Sequence, residues 1–410
     1  MNKAIAYLMQ GRARLNVLSA VIRTGSTVVV FLLVLAILGK VDFGIYSYVY
    51  WIAFFSMQVG LCGIPKLICR TPQGITLPLP AYISVALGVQ TILFFILIEF
   101  SKIPTPVAIK FAAATISCFG VCNSLILAIC RQRSQYPLIL ISELVASVMR
   151  LLSVAFLYWR KEITPLSLLF TEGSCQGVQL VALLLATRGQ LIDRARSLNI
   201  STKNLREVFG LGIFGLVDAV LSQRTETWFL ALSSNATASI ATFCFAMRLA
   251  SGGGFITVAV IDAWFPALAT ADSVQEIRQM LKRFIKIYCV YGLTNIVAAM
   301  VLIFSLYNKF LCTEVILLLV FSFCEGLFGF ASAVVYARKG ENLLWTPVAV
   351  SAVVSITANL LLTPKFGLTG ATISYMIAHT VSAVGTMLVF ITVTRREIWL
   401  GRLRPLNCSV

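Results

Sequence analysis

The sequence predicts an all-α membrane protein with twelve transmembrane helices in two groups of six. Hydrophobic residues make up 59% of the 410 residues and charged residues only 12%, which is more apolar surface than a soluble chain of this length can bury. Twelve apolar segments are long enough to cross a bilayer, which takes about 20 helical residues. Connections that contain many Lys and Arg residues alternate along the chain with connections that contain few.

The predicted spans follow one another with short polar connections, and most prolines fall near their ends, where a helix tolerates the missing N–H group. Residues 1–16 are predicted as a short interfacial helix, and residues 39–44 as a polar turn between the first two spans. The twelve spans are Leu18–Leu38, Phe43–Gly63, Leu77–Ile98, Val107–Ile129, Pro137–Tyr158, Leu166–Ala186, Val208–Leu232, Ala236–Asp262, Phe284–Phe304, Val315–Ala337, Leu343–Thr363 and Leu368–Val393.

Positive charge indicates which side of the membrane each connection occupies. Outside the spans, the connections on the side of the two termini carry 22 Lys and Arg residues, and those on the opposite side carry seven. Since cytoplasmic connections hold this excess in membrane proteins, we predict that the N- and C-termini are cytoplasmic. The same distribution accounts for the net charge of +17 without a nucleic-acid partner.

The longest polar connection lies near the middle of the chain and separates six spans from six. We therefore predict an N-terminal six-helix lobe over residues 1–187, a cytoplasmic linker over 188–207 and a C-terminal six-helix lobe over 208–410. Each half has a basic, polar loop before its fifth helix, at residues 131–135 and 338–342, which is consistent with an internal repeat.

Ionisable residues occur inside the predicted spans, where each would cost about 2.5–3.5 kcal/mol if it faced lipid. They must therefore face water or protein, and we expect them to line a central cavity. The ten residues are Arg23, Glu143, Arg150, Glu172, Asp218, Arg224, Glu226, Arg248, Asp262 and Glu325.

The four arginines of this set are the candidate substrate-binding residues: Arg23, Arg150, Arg224 and Arg248. Guanidinium groups match the oxygens of phosphate and carboxylate, so a cationic cavity lined by them favours an anion. Arg23 and Arg248 are the strongest candidates, because each lies away from the ends of its helix with no acidic residue one turn away.

Carboxylates at the same depth are the candidate ion-coupling residues: Glu143, Glu226, Asp262 and Glu325. Other interpretations stay open for several charged positions. Glu143 and Arg150 lie two turns apart on the fifth span and can form a purely structural ion pair. Asp262 is as well placed for an interfacial role as for ion coupling. Glu172 and Asp218 can instead lie at the ends of their helices.

The sequence lacks the patterns of soluble enzymes and metal proteins. Its single histidine, His379, excludes a metal site or catalytic triad built on several histidines, and no two cysteines have C-x-x-C spacing. It contains no P-loop and no nucleophile elbow. We therefore expect a transporter rather than an enzyme, with no cofactor and no resident metal.

Four segments resemble the polysaccharide-export branch of the MOP flippase superfamily. Residues 37–48 (ILGKVDFGIYSY) are similar to its first hairpin, and residues 362–371 (LTPKFGLTGA) to the turn before its last helix. Residues 245–249 (FAMRL) and 265–269 (FPALA) resemble its eighth helix and the exit from that helix. Within this superfamily the size and the motifs are most similar to Wzx-type O-antigen flippases.

The resemblance implies translocation of undecaprenyl-diphosphate-linked oligosaccharide, the O-antigen repeat unit, from the cytoplasmic to the periplasmic leaflet of a bacterial inner membrane. It also implies a V-shaped pair of lobes, alternating access, coupling to H⁺ or Na⁺, and an O-antigen polymerase and a chain-length regulator as partners. Two alternatives stay open: a multidrug or small-molecule antiporter of the same superfamily, and a non-transporting scaffold for polysaccharide assembly.

Overall fold

The computed structural model describes residues 3–61, 64–65, 68, 79–133, 135–195, 225–233, 236–271, 273–305, 310–338 and 341–399, and nearly all of these are helical. The helices are α1 (Lys3–Ile37), α2 (Lys40–Leu61), α3 (Leu79–Glu99), α4 (Val107–Gln132), α5 (Tyr136–Arg160), α6 (Pro165–Ala195), α7 (Glu226–Ala231), α8 (Ala236–Thr270), α9 (Val274–Ser305), α10 (Thr313–Gly326), α11 (Gly329–Ala337) and α12 (Glu341–Trp399).

Six helical stretches of the described residues are long and apolar enough to cross a membrane, so the chain is a multi-pass membrane protein. Shorter apolar helices cover Gly25–Ile37, Ile83–Glu99 and Ala236–Ala250. The predicted number of twelve spans stays a prediction, because most of the seventh span lies outside the described residues. The six stretches are Val107–Arg131, Tyr136–Arg160, Pro165–Thr187, Val274–Ser305, Thr313–Val335 and Leu343–Ile398.

The turn between α1 and α2 is shorter than predicted. It consists of Leu38 and Gly39 alone, and the amide of Phe43 already donates to the carbonyl of Gly39 at 3.0 Å. The expected polar turn over residues 39–44 is therefore wrong beyond Gly39, because most of it forms the first turn of α2. The expected separate interfacial helix is also wrong, since α1 runs unbroken from Lys3 to Ile37.

The helix α12 consists of two helices that meet at Gly367. The backbone of this glycine has φ 56° and ψ −124°, outside the helical region, and the chain reverses direction there. A Cβ added at Gly385, on the second half, would overlap the Cβ of Pro347, on the first half. The predicted break between the eleventh and twelfth spans is thus present, within the LTPKFGLTGA segment.

Replacing Gly367 by Ala tests this turn through backbone strain alone, because no other atom lies within 4 Å of the added Cβ. We expect a loss of about 1–2 kcal/mol in the free energy of unfolding, since an L-residue rarely adopts this positive φ. Unfolding curves of the variant in detergent measure the loss. The control is Gly88→Ala in α3, which also has open space around the new Cβ, and an equal effect of the two changes would contradict the prediction.

The predicted tenth span, Val315–Ala337, is interrupted. Its helix ends at Gly326 as α10 and resumes at Gly329 as α11. The hydroxyl of Tyr288 on α9 donates to the carbonyl of Phe323 at 2.7 Å, while the amide of Leu327 donates to Cys324 instead. A side chain from a neighbouring helix has therefore replaced a backbone hydrogen bond, which is one of the physical causes of a helix break.

The helices belong to two compact units. In the unit Ile22–Cys244, α2 packs against α3 and α4, and α6 packs against α4 and α5. In the unit formed by Met1–Val21 and Phe245–Val410, α12 packs against α10 and α11, and α9 packs against α10. The predicted lobes and linker stay predictions, because residues 196–207 of the linker lie outside the described residues.

Candidate functional site

Four of the predicted intramembrane charges meet within the unit Ile22–Cys244, and we call them the charged cluster. They are Arg23 on α1, Glu143 and Arg150 on α5, and Glu172 on α6. Glu143 and Arg150 are seven residues apart, so they share one face of α5. This helix therefore supplies one ion-pair partner to α1 and another to α6.

Arg150 and Glu172 form a buried two-point ion pair. Nε of Arg150 lies 2.7 Å from Oε2 of Glu172, and Nη2 lies 2.8 Å from Oε1. Nη1 donates to the hydroxyl of Ser26 at 3.2 Å, and this hydroxyl in turn donates to Ser147 at 3.0 Å. The two charged side chains are 6% and 7% exposed, so each charge is satisfied by protein rather than by water.

Arg23 and Glu143 form a looser pair, with Nη1 of the arginine 3.5 Å from Oε1 of the glutamate. The arginine side chain is 42% exposed, whereas the glutamate side chain is 6% exposed. An arginine in the middle of an apolar helix is costly to leave in hydrocarbon, which favours a polar environment around its exposed part. Within the charged cluster, Arg23 is therefore the charged side chain with the largest exposed fraction.

Two expectations about pairing are corrected by this geometry. The alternative in which Glu143 pairs with Arg150 is wrong, because each of these residues pairs with a residue of a neighbouring helix instead. Arg23, expected without an acidic partner, has one in Glu143. Spacing along a single helix shows which residues share a face, but it does not show which helix packs against that face.

A second cluster of ionisable residues, which we call the Glu325 cluster, lies in the other unit. Oε2 of Glu325 accepts a hydrogen bond from the hydroxyl of Tyr375 at 2.8 Å, and Oε1 lies 2.5 Å from Nδ1 of His379. The glutamate side chain is 31% exposed and the histidine side chain 10% exposed. Glu325 is therefore a partly exposed carboxylate with a tyrosine hydroxyl on one oxygen and a histidine ring on the other.

The sequence pattern predicts Glu325 as a site residue but neither of its two partners. Tyr375 and His379 lie one turn apart on the second half of α12, with ring centroids 4.1 Å apart. The available signal was the position of the only histidine of the chain, in the middle of a predicted span with a tyrosine four residues before it. A titratable side chain at that depth indicates a polar neighbour on another helix.

The remaining predicted site residues are not brought into either cluster by the described contacts. Arg248 is half-buried on α8, in the unit that also holds Glu325, and Glu226 is buried at the start of α7. Asp262 lies on α8, and Arg224 lies outside the described residues. The predicted substrate-binding and ion-coupling roles stay predictions for all of these positions.

No family model and no curated protein matches this sequence. Solved structures match it over nearly their whole length. One is the outward-facing conformation of a multidrug resistance MATE family transporter of the MOP superfamily, with 14% identity, a TM-score of 0.61 and coverage of 95% of this chain and 96% of that one. Another is MATE in complex with MaL6, with 14% identity, a TM-score of 0.63 and the same coverage.

A third is a MOP superfamily transporter from Pyrococcus furiosus, described by a reverse polarity of its binding pocket that suggests a different function. It has 13% identity, a TM-score of 0.62 and coverage of 95% of this chain and 96% of that one. At such low identity these likenesses concern the fold. The chain has the fold of MOP superfamily transporters.

Proposed function

We propose that this protein translocates undecaprenyl-diphosphate-linked oligosaccharide from the cytoplasmic to the periplasmic leaflet of a bacterial inner membrane by alternating access. The fold of MOP superfamily transporters supports transport as the activity. The ILGKVDFGIYSY and LTPKFGLTGA segments, which form helical hairpins here, support the polysaccharide-export branch. An O-antigen polymerase and a chain-length regulator are the partners that this proposal implies.

The exposed side chain of Arg23 is the observation on which the choice of an anionic substrate rests. Both carboxylates of the charged cluster are buried against arginines, and of the four side chains in the cluster only that of Arg23 is well exposed, at 42%. A diphosphate group offers the oxygens that guanidinium donors bind best. Outward movement of net negative charge is also favoured by an inside-negative potential, by about 2.3 kcal/mol per charge per 100 mV.

A multidrug antiporter is the second candidate, and the fold supports it equally well. The Glu325 cluster favours it specifically, because a carboxylate with 31% of its side chain exposed can attract a cationic drug. The two candidates differ in the sign of the transported charge. Proteoliposomes that export a cationic dye, and that leave lipid-linked oligosaccharide in its original leaflet, would establish the second candidate.

The test of the first candidate is a flipping assay on Arg23→Ala combined with Glu143→Gln. The double change removes the exposed cation without leaving a buried, unpaired carboxylate. We expect the initial rate to fall about tenfold or more, because a hydrogen bond to a charged group contributes about 1.5–3 kcal/mol. The rate is measured as the appearance of lipid-linked oligosaccharide in the opposite leaflet of proteoliposomes.

The matched control for this assay is Arg160→Ala, at the exposed end of α5, where the arginine pairs with Glu162 near the surface. This change removes one positive charge from outside the charged cluster, and we expect a rate close to that of the wild type. A double variant that transports as fast as the control would refute the role of Arg23 in substrate binding.

A further inference from the structure

The beginning of α9 carries a row of exposed positive charges, which we call the basic patch. It consists of Arg278, Lys282, Arg283 and Lys286, and all four residues are exposed. Three of them follow one another at intervals of four residues, so they lie in line along one face of the helix. Among the described residues, none of the four forms an ion pair with a carboxylate. The described part of the protein therefore leaves this charge to an outside partner.

The opposite face of the same turns is buried, which fixes the direction in which the basic patch points. Ile277, Phe284 and Tyr288 are buried on this face. The ring of Phe284 lies 5.3 Å from that of Phe330 on α11, and the ring of Tyr288 lies 5.3 Å from that of Phe323 on α10. Because these contacts hold α9 against two neighbouring helices, the helix cannot turn its charges away from the surface.

The exposed face of α9 changes from basic to apolar one turn beyond Lys286. Large apolar side chains follow on the same side of the helix, each more than half exposed: Val290, Leu293, Val297, Val301 and Phe304. Such a face, in a helix long and apolar enough to cross a membrane, is suited to contact with lipid chains. The basic patch therefore lies where the lipid-facing surface of α9 meets the lipid headgroups.

The length of α9 agrees with this position. Its 32 residues span about 48 Å, whereas the hydrocarbon core of a bilayer is about 30 Å thick. The excess lies at the beginning of the helix, because the residues from Val290 to its end are largely apolar. The row from Arg278 to Lys286 is about 12 Å long, which exceeds the headgroup layer of about 5–8 Å on each side of a bilayer.

We propose that the basic patch binds the phosphate groups of anionic phospholipids, in the leaflet on the side predicted to be cytoplasmic. Guanidinium and ammonium groups both bind phosphate oxygens, and basic segments next to a membrane span attract anionic lipids. A row of four charges along 12 Å suits several separate headgroups better than one diphosphate group. The proposal goes beyond the proposed function and does not depend on the transported substrate.

The test measures which lipids the full-length protein holds at its surface. The protein is reconstituted in phosphatidylcholine vesicles with a trace of spin-labelled phosphatidylglycerol or, in parallel, of spin-labelled phosphatidylcholine. Electron paramagnetic resonance gives the fraction of each label that the protein immobilises, and the ratio of the two fractions is the selectivity. We expect Lys282→Gln combined with Lys286→Gln to lower this selectivity about twofold or more, because two charges near the headgroups are lost.

Two control variants accompany this measurement. Arg395→Gln combined with Arg396→Gln removes two exposed positive charges from the end of α12 in the same unit, and we expect the selectivity of the wild type. Lys282→Arg combined with Lys286→Arg keeps the charge and should also keep the selectivity, which separates loss of charge from disturbed folding. An unchanged selectivity in the Lys→Gln variant would overturn the proposal, and so would an equal fall in the α12 variant.

Competition identifies the lipid that occupies the basic patch. Unlabelled phosphatidylglycerol should release the spin-labelled phosphatidylglycerol from the wild type, and added salt should weaken its binding by screening. If undecaprenyl diphosphate releases the label more effectively at equal added charge, and only when Lys282 and Lys286 are present, the patch binds the substrate and the proposal is overturned. None of these measurements requires transport, so a failure to flip lipid-linked oligosaccharide would refute only the proposed function.

Discussion

Arg150→Met is expected to lower the free energy of unfolding by about 3–5 kcal/mol, because it leaves the carboxylate of Glu172 buried without its partner. The glutamate side chain is 7% exposed, so water cannot replace the guanidinium that now contacts both of its oxygens. The loss of the donor to Ser26 adds to the cost. Denaturant titration of the purified protein in bicelles measures this loss in the free energy of unfolding.

The double variant Arg150→Met with Glu172→Gln distinguishes the loss of the ion pair from the cost of leaving one charge buried and unpaired. Removing both charges should recover much of the lost stability, because the main cost of the single change is the desolvated, unpaired charge. The control is Arg160→Met, whose pair with Glu162 lies at the surface with side chains 54% and 58% exposed. That change should cost less than about 1 kcal/mol, and an equal cost for Arg150→Met would contradict the prediction.

Gly44→Val is expected to cost about 3 kcal/mol, near the upper end for overpacking, because the added Cβ would overlap the backbone carbonyl of Thr237. A side chain can rotate away from such a contact, whereas a helical backbone must shift as a whole. Gly44 lies on α2 and Thr237 in the first turn of α8, so the variant should separate these two helices. Thermal unfolding, together with proteolysis between residues 225 and 244, reports the loss.

Gly88→Ala is the matched control for this change. Gly88 also lies in a helix of the unit Ile22–Cys244, but beyond its chain neighbours and the nearby backbone of its own helix no atom lies within 4 Å of its added Cβ. We expect this variant to be unchanged or to gain up to about 1 kcal/mol from the higher helix propensity of alanine. If Gly44→Val and Gly88→Ala unfold alike, the close approach of α2 and α8 is not important for stability.

Apolar length and charge spacing predicted the helical class and most helix positions, because these depend on local properties of the chain. The turn at Gly367 could be predicted as well, since proline and two glycines lie together there. The ion pairs could not be predicted, because Arg23 and Glu143 come from distant parts of the sequence and meet only through helix packing. The break beyond Gly326 depends on Tyr288 of another helix and leaves no local signal.

The charged cluster has a consequence for how the chain enters the membrane during synthesis. The helix α1 carries Arg23 and is made first, while its partner Glu143 follows much later on α5. The helix α5 brings Glu143 and Arg150 to the cluster, and α6 then brings Glu172 for Arg150. Until α5 is made, α1 must keep Arg23 near water or the insertion machinery. Completion of the cluster therefore marks the stage at which these three helices can leave that machinery together.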